Sequence, residues 1–214
     1  MLTELLGAHD LPAEPPRDPM PLLLEWWEDA RARGGYADFN AMTLATATPD
    51  GFPSARIVLC KAIETTPPAL VFYTNYESRK GRELDANPRA AALFHWPHAK
   101  RQARVEGAVR RVSDAESDAY FRTRPLLSRI GACVSRQSEP LESSQALVAA
   151  AMRRARTAML EGDIPRPAHW GGFRVHIESV ELWSAREGRL HDRVRWTRLS
   201  DDETPTWRAV HLSA

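Results

Sequence analysis

Residues 56–61 place two cationic side chains along a predicted strand, where they could bind an anion. Side chains alternate along a strand, so Ile57, Leu59 and Lys61 share one face. The opposite face carries Arg56, Val58 and Cys60. Arg and Lys donate the hydrogen bonds that phosphate oxygens accept. Because cations in such positions are more often solvated surface charges, a surface interpretation stays open.

A second candidate anion site lies twenty residues further along. Ser78, Arg79 and Lys80 open a short helix predicted around residues 77–87. The free backbone N–H groups of a helix N-terminus, its dipole and two cations together favour a phosphate. Solvated surface charge is again the alternative.

Tyr120, Arg124 and Ser128 follow one another at intervals of four residues, which brings them within reach of one helical turn. They supply a phenol, a guanidinium and a hydroxyl. Arg offers the forked donors that phosphate prefers, and Tyr and Ser can bind the remaining oxygens. The same residues also fit a helix-capping and packing arrangement.

Arg189, His191 and Arg193 are predicted to lie on one face of a strand, because they recur with a period of two. Such a face is either exposed to solvent or lines a pocket for an anionic ligand. Trp183, on the preceding predicted strand, could supply an aromatic wall of that pocket or fill the core.

The elements that must position these residues are mainly strands. Asp18 and Pro19 predict the start of an amphipathic helix, and residues 1–17 read as a flexible arm. Residues 41–112 contain four or five short strands joined mostly by hairpin-type turns, including Pro49-Asp50-Gly51. This pattern favours an antiparallel barrel within a single domain of residues 18–214.

Helices and then further strands complete the predicted domain. Ser113 and Glu116 form a capping-box pattern that opens a helix, and a longer helix is predicted over residues 143–161. Residues 170–184 read as a long strand, followed by a turn at residues 186–188 and two more strands. The barrel is therefore expected to resume after the helices.

Composition excludes several functional classes. Of 214 residues, 43% are hydrophobic and 27% charged, and the formal net charge is +1, so no global field attracts nucleic acid or an anionic membrane. The sequence contains no apolar run long enough to span a bilayer, and we expect a cytoplasmic protein. Cys60 and Cys133 lie far apart, so neither a disulfide nor a metal site is expected.

Taken together, the motifs resemble the pyridoxamine 5′-phosphate oxidase family over residues 18–212. Seven blocks carry the resemblance, in the order RIVLCK, VFYTN with SRK, NPRAAALFHW, RQARVEG, YFRTRPLLSRIGACVSRQS, PRPAHWGGFRV and ELWSAREGRLHDR. Ordered blocks are more specific than one short motif. The resemblance implies an α+β, mainly β fold, the FMN-binding split β-barrel of antiparallel Greek-key type with flanking helices.

The resemblance also implies a role for each matching residue. It assigns FMN to Arg56, Ile57, Val58, Leu59, Cys60, Lys61, Tyr73, Thr74, Arg79, Lys80, Gln102, Gln137, Ser138, Trp183 and Arg193. It assigns the substrate to Lys61, Tyr120, Arg124, Ser128, Arg189 and His191, of which Arg189 and His191 are the implied catalytic residues.

The implied activity is oxidation of pyridoxamine or pyridoxine 5′-phosphate to pyridoxal 5′-phosphate. O₂ would be the acceptor and H₂O₂ a product, with NH₃ released from the amine. The implied assembly is a homodimer with FMN at the interface.

Two other hypotheses remain. The N-terminal arm lacks the tyrosine usual in the family, residues 126–133 differ from its common pattern, and the chain ends His211-Leu212-Ser213-Ala214 where Arg-Leu-x-Pro is common. These departures favour a flavin oxidase with another ring substrate, as in phenazine biosynthesis. The third hypothesis is a non-catalytic module that binds flavin or pyridoxal phosphate.

Overall fold

The computed structural model describes residues 11–34, 39–161, 163–200, 202 and 204–213. Its strands are β1 (Ala41–Ala47), β2 (Pro53–Thr65), β3 (Pro68–Asn75), β4 (Arg89–Trp96), β5 (Arg101–Arg111), β6 (Trp170–Ser184), β7 (Asp192–Arg198) and β8 (Trp207–His211). Its α-helices are α1 (Met20–Gly34), α2 (Arg79–Ala86), α3 (Asp114–Thr123), α4 (Leu126–Val134) and α5 (Ser144–Glu161). Within these ranges, no helix is long and apolar enough to cross a membrane.

The strands form one antiparallel sheet that closes into a barrel. Their order is β3-β2-β1-β4-β5-β6-β7-β8, and an additional pairing of β3 with β6 closes the first six. The spatial order β4-β1-β2-β3 is a Greek key, in which the fourth strand returns beside the first. The predicted antiparallel barrel with flanking helices is therefore confirmed.

The first hairpin forms where its sequence predicted it. Residues Ala41 to Ala47 pair in register with Leu59 to Pro53. Between the strands, the Gly51 N–H donates to the Thr48 carbonyl at 2.9 Å, and Gly51 has φ of +90°, which L side chains rarely adopt. The turn thus fixes which side chains of β2 face outward.

Strand β6 connects the two ends of the molecule. Over its 15 residues, Trp170 pairs with Asn75 of β3, whereas Trp183 pairs with Gln102 of β5. The register between β5 and β6 shifts by a bulge next to Gly107. One strand therefore closes the barrel at one end and carries β7 at the other.

The core fills the barrel and extends under α1. Phe72, Phe94 and Phe173 are fully buried between the strands, and Trp26 of α1 is buried against them. Asp18 caps α1 as predicted, because its Oδ1 accepts from the Met20 N–H at 2.9 Å. A smaller core of four buried residues, which are Phe121, Ile130, Ile164 and Trp170, holds α3 and α4 on the barrel.

Local sequence signals identified most elements. The capping box of Ser113 and Glu116 is present in both directions at the start of α3. The sequence pattern does not distinguish the helix α4 from the other helices between β5 and β6.

Residues 1–10 of the predicted N-terminal arm lie outside the described residues. Of the remainder, Leu11 is buried in the core, and the Pro16 carbonyl accepts from Trp196 Nε1 at 2.8 Å.

We expect the bulge at Gly107 to be a fixed requirement of the barrel. A Cβ added there would lie 1.8 Å from the His176 carbonyl oxygen, which is backbone and cannot rotate away. Gly107→Ala should therefore lower the free energy of unfolding by about 1–3 kcal/mol or more. Thermal denaturation followed by circular dichroism measures the change.

Gly131→Ala is the matched control. This glycine lies inside α4, and an added Cβ would meet no heavy atom of the described chain within 4 Å. Alanine should be neutral or stabilise the protein by about 0.5–1 kcal/mol. Equal melting temperatures for Gly107→Ala and the wild type would contradict the role of the bulge.

Candidate functional site

A cavity of about 780 Å³ opens between β2, β3 and the helices α2, α3 and α4. Most residues that the sequence singled out line it, namely Arg56, Ile57, Val58, Leu59, Lys61, Tyr73, Thr74, Arg79, Lys80, Tyr120, Arg124, Ser128, Gln137 and Ser138. Strand, helix and loop positions up to 82 residues apart in sequence thus meet at one place.

Strand β2 supplies the longest edge of the cavity. Its side chains alternate as predicted, with Ile57 and Leu59 exposed at 64% and 43%. Cys60 faces the other way and is fully buried in the barrel core, where burial raises the pKa of its thiol to about 12. The Cys60 side chain therefore belongs to the core and does not line the cavity.

Lys80 is a buried cation at the first turn of α2. Its ammonium donates to Gln137 Oε1 at 2.9 Å, Thr74 Oγ1 at 3.0 Å and Ser78 Oγ at 3.1 Å. All three acceptors are neutral. Burial, and to a smaller extent the nearby Arg56, lower the pKa of Lys80 to about 8. Keeping the buried ammonium charged therefore costs free energy, and a bound anion would reduce this penalty.

Glu83 orients the other two cations of this group. It is buried, and it accepts from Arg79 at 2.8 Å and from Ser54 at 2.6 Å, with a further short bond from Thr46. Burial opposes its charge, but these hydrogen bonds outweigh it and lower the pKa of Glu83 to about 2. Arg56 lies 3.4 Å from the same carboxylate. Glu83 therefore remains ionised and fixes both guanidinium groups.

A second cationic group, Lys61 and Arg124, lies in the same cavity. Partial burial, followed by the charge of Arg124, lowers the pKa of Lys61. The Arg124 guanidinium stacks over the Trp170 ring at 4.5 Å. Its Nη1 is inaccessible to solvent and has no hydrogen-bond partner in the described chain. Two neighbouring cations with an unfilled donor fit a ligand that brings an anionic group.

Aromatic rings form the wall beside Lys61 and Arg124. Tyr73 and Tyr120 stack with their centroids 3.9 Å apart, and Trp170 is nearly parallel to Tyr120 at 6.2 Å. Ser128 lies in the first turn of α4, where its N–H donates to the Pro125 carbonyl. A phenol, a guanidinium and a hydroxyl therefore meet at the cavity, as their spacing predicted.

Two glycines let α3 approach the barrel closely enough for Tyr120 to contact Tyr73 and Trp170. The Gly172 N–H donates to Ser117 Oγ of α3 at 3.3 Å. A Cβ at Gly171 would lie 2.1 Å from the Tyr76 hydroxyl and 2.9 Å from Ser117 Oγ. The Gly-Gly pair after Trp170 is thus a packing requirement of the site.

The remaining predicted residues lie elsewhere on the chain. Gln102, Trp183 and Arg193 line a separate cavity of about 260 Å³. Trp170 and Trp183 are separated by 13 residues of β6, a path of roughly 40 Å along the strand. Within one chain, the structure therefore does not bring these three residues to the larger cavity.

One expectation about this region is wrong. Arg189 ends a short 3₁₀ helix, Glu187–Arg189, with φ of +63°, and β7 begins only at Asp192. Arg189 and His191 therefore do not share a strand face with Arg193. The local cause is the tight turn at Gly188, which also has positive φ.

His191 and Arg193 are nevertheless held firmly. The His191 Nδ1 accepts from the Arg186 N–H at 3.1 Å, and its ring lies 4.7 Å from that of Trp183. Arg193 donates to Glu181 Oε1 at 2.9 Å and to the Ser213 carbonyl at 3.0 Å. Among the described residues, Nδ1 is the His191 ring nitrogen with a hydrogen-bond partner.

Sequence reasoning missed two contributors to the main cavity. Trp170 was assigned only to a strand, although an aromatic residue before Gly-Gly could have indicated a close packing site. Glu83 was not singled out, although its spacing of four residues from Arg79 on a helix was a usable signal.

Comparisons with known proteins agree with this geometry. The family model described as pyridoxamine 5′-phosphate oxidase matches residues 29–157. The model described as the pyridoxine 5′-phosphate oxidase C-terminal dimerisation region matches residues 170–214. Both cavities are lined by residues from the two matched ranges.

Relatives and solved structures extend these matches. Proteins named pyridoxine/pyridoxamine 5′-phosphate oxidase from Rubrobacter xylanophilus and Azorhizobium caulinodans are 51% and 54% identical to this chain. The alignments cover 91% and 85% of this chain, and 86% and 84% of those proteins.

A crystal structure of PhzG from Burkholderia lata, in complex with tetrahydrophenazine-1-carboxylic acid, has a TM-score of 0.85 at 30% identity. The alignment covers 97% of this chain and 100% of the PhzG chain. A pyridoxamine 5′-phosphate oxidase-related, FMN binding protein from Nostoc punctiforme shares the fold, with a TM-score of 0.71 at 16% identity, over 92% and 97% of the chains.

The closed six-stranded barrel and its cationic cavity place the molecule among the split-barrel oxidoreductases. Within that class, the chain belongs to the pyridoxamine 5′-phosphate oxidase family.

Proposed function

We propose that this protein is an FMN-dependent oxidase that converts pyridoxamine or pyridoxine 5′-phosphate to pyridoxal 5′-phosphate. The observation that carries the proposal is the presence of two cationic groups in one cavity. One consists of Arg56, Arg79 and Lys80, and the other of Lys61 and Arg124. Two groups suit two phosphates, one on the cofactor and one on the substrate.

The group at α2 has the chemistry that the FMN phosphate requires. Lys80 is a buried cation with neutral partners, and Arg56 and Arg79 are fixed by Glu83. Ile57 and Leu59 present apolar surface along β2 for the ring system. Bound there, FMN would supply the two-electron acceptor for a hydride from the C4′ carbon and pass the electrons to O₂, which gives H₂O₂.

The second group would hold the substrate. Arg124 has an unfilled buried donor, and Lys61, Tyr120 and Ser128 complete a set of donors around it. Fixing the phosphate at this point orients the rest of the substrate before reaction. The stacked rings of Tyr73 and Tyr120 add apolar surface to the cavity wall.

A homodimer would join the two separate groups of predicted site residues. Gln102, Trp183 and Arg193 would complete the FMN site of a second copy, and Arg189 and His191 would contact its substrate ring. This arrangement is supported by the match to a dimerisation region over residues 170–214, which contains four of these five residues. Because His191 Nδ1 is already an acceptor, its Nε2 is the atom available to hold or move a proton.

A second candidate function is oxidation of an unphosphorylated ring, as the complex of PhzG with a tetrahydrophenazine acid suggests. Leu126 and Leu127 support it, because they are exposed at 50% and 80% and lie in sequence between Arg124 and Ser128. Exposed apolar side chains of this kind suit a larger hydrophobic ring.

Binding of FMN to the apoprotein should weaken as pH rises through about 8. Lys80 has a pKa of about 8, below its ordinary value of 10.5, so it loses its proton early and with it the attraction for the phosphate. Bound phosphate favours the charged form, so binding takes up a proton above pH 8. The affinity should therefore fall by up to about tenfold per pH unit. Fluorescence titration measures it.

Riboflavin is the matched ligand, because it lacks the phosphate and its affinity should not follow this fall. Lys80→Met should remove the slope for FMN as well. An FMN affinity that stays constant through pH 9 in the wild type would contradict the assignment of Lys80.

The oxidase activity itself is tested with purified, FMN-loaded protein. Adding pyridoxamine 5′-phosphate in air should yield pyridoxal 5′-phosphate and H₂O₂ in equal amounts, with consumption of O₂. Arg124→Met should raise KM about 10- to 100-fold, because a hydrogen bond to a charged group is worth about 1.5–3 kcal/mol. FMN affinity should stay unchanged.

Arg122→Met provides the control, because Arg122 lies on the same helix but is exposed and does not line the cavity. It should leave KM unaltered. A protein that binds FMN but neither consumes O₂ nor forms the aldehyde would contradict the proposal. Turnover of an unphosphorylated ring that is insensitive to Arg124→Met would favour the second candidate.

A further inference from the structure

The helix α3 carries Tyr120 and Arg124, and its apolar contact with the barrel is the small core around Phe121 and Trp170. Only Ser117 and Phe121 of its residues are buried. Tyr120 lies in its last turn, and Arg124 caps its C-terminus. A helix of ten residues with one buried aromatic side chain needs other contacts to fix its position.

Arg174 of β6 donates to Glu116 of α3 at 2.8 Å, and Arg166 adds further polar contacts from the segment between α5 and β6. The Arg166 side chain is 9% exposed, and its Nε donates to Asp118 at 2.6 Å while Nη2 donates to Asp114 at 2.7 Å. The two carboxylates are one turn apart on α3. A single guanidinium therefore bridges the outer face of the helix.

The same guanidinium also fixes Trp170. Its Nη1 donates to the Trp170 carbonyl at 2.7 Å. Trp170 is the residue over which Arg124 stacks, and its ring also lies parallel to that of Tyr120. Arg166 thus contacts both α3, which carries Arg124, and Trp170, over which Arg124 stacks.

We propose that Arg166 is a positioning residue, which fixes α3 against Trp170 so that Tyr120 and Arg124 hold the substrate phosphate. This inference rests on the proposed function, because it assigns those two residues to the substrate. Arg166 does not line the cavity and acts only through them. Nothing in this role requires it to contact the ligand.

Arginine suits this role better than lysine. The three acceptors are bound by three different nitrogens of one planar group, at distances between 2.6 and 2.7 Å. An ammonium is a single point of charge on a flexible stem and cannot reproduce this geometry. Burial opposes the charge of Arg166, but Asp118 and Asp114 outweigh it and raise its pKa, so the guanidinium stays charged.

The test compares Arg166→Met, Arg166→Lys and wild type as FMN-loaded enzymes. For Arg166→Met, KM for pyridoxamine 5′-phosphate should rise about tenfold, with kcat reduced less than about threefold and FMN affinity unchanged. Arg166→Lys should give an intermediate KM. The control is Arg89→Met, which removes an exposed ion pair with Glu178 between β4 and β6 and should change none of these values.

A double-mutant cycle separates positioning from general stability. Because Arg166 acts through Arg124 and Tyr120, the variant with both arginines replaced by Met should raise KM by less than the product of the two single effects. Additive effects of the two substitutions would overturn the proposal. So would a parallel loss of FMN affinity and thermal stability in Arg166→Met, which is the signature of a purely structural residue.

Binding of pyridoxal 5′-phosphate, measured by calorimetry, keeps the two proposals distinguishable. If the wild type binds pyridoxal 5′-phosphate but does not oxidise pyridoxamine 5′-phosphate, the proposed oxidase is contradicted. In that case, weaker binding of pyridoxal 5′-phosphate by Arg166→Met than by the wild type would still support the positioning role. A wild type that turns over, with an Arg166→Met variant that has unchanged KM and unchanged binding, would contradict only the role of Arg166.

Discussion

Positive charge that is buried without a matching carboxylate is the constraint on which this site depends. Lys80 is surrounded by neutral acceptors, and Arg124 holds one nitrogen out of solvent with no acceptor in the described chain. Folding such groups into a barrel end disfavours their charged forms, as the lowered pKa values of Lys80, Lys61 and Arg124 indicate. An anionic ligand removes this penalty, so the same feature that weakens the empty protein supplies binding energy.

The strand pairing of the barrel determines where these buried cations and their neighbours lie. The closing pair of β3 and β6 brings Tyr73 beside Trp170, and the glycines after Trp170 admit α3. The far end of β6 carries Trp183 and, through β7, Arg193. One long strand separates these groups within the chain. Under the proposed function, a symmetric dimer would bring the two groups together at each site.

Sequence reasoning predicted what depends on local pattern. Alternation along β2 identified the faces of Arg56 and Lys61, and the capping motifs located α1 and α3. It failed at Arg189 and His191, because a turn with two residues of positive φ interrupts the expected strand. It also could not find the partners of Arg166, since Asp118 is 48 residues away and the pairing exists only after the helix docks.

We propose that each site is built from two copies of the chain, and a mixed dimer tests this arrangement most directly. One copy would carry Arg124→Met and the other Arg189→Met with His191→Asn, and heterodimers would be isolated through two different affinity tags. At substrate concentrations well below the wild-type KM, each parent homodimer should show little activity. The heterodimer keeps one intact site of two, so it should recover about half of wild-type activity per dimer. A heterodimer no more active than its parents would contradict the account.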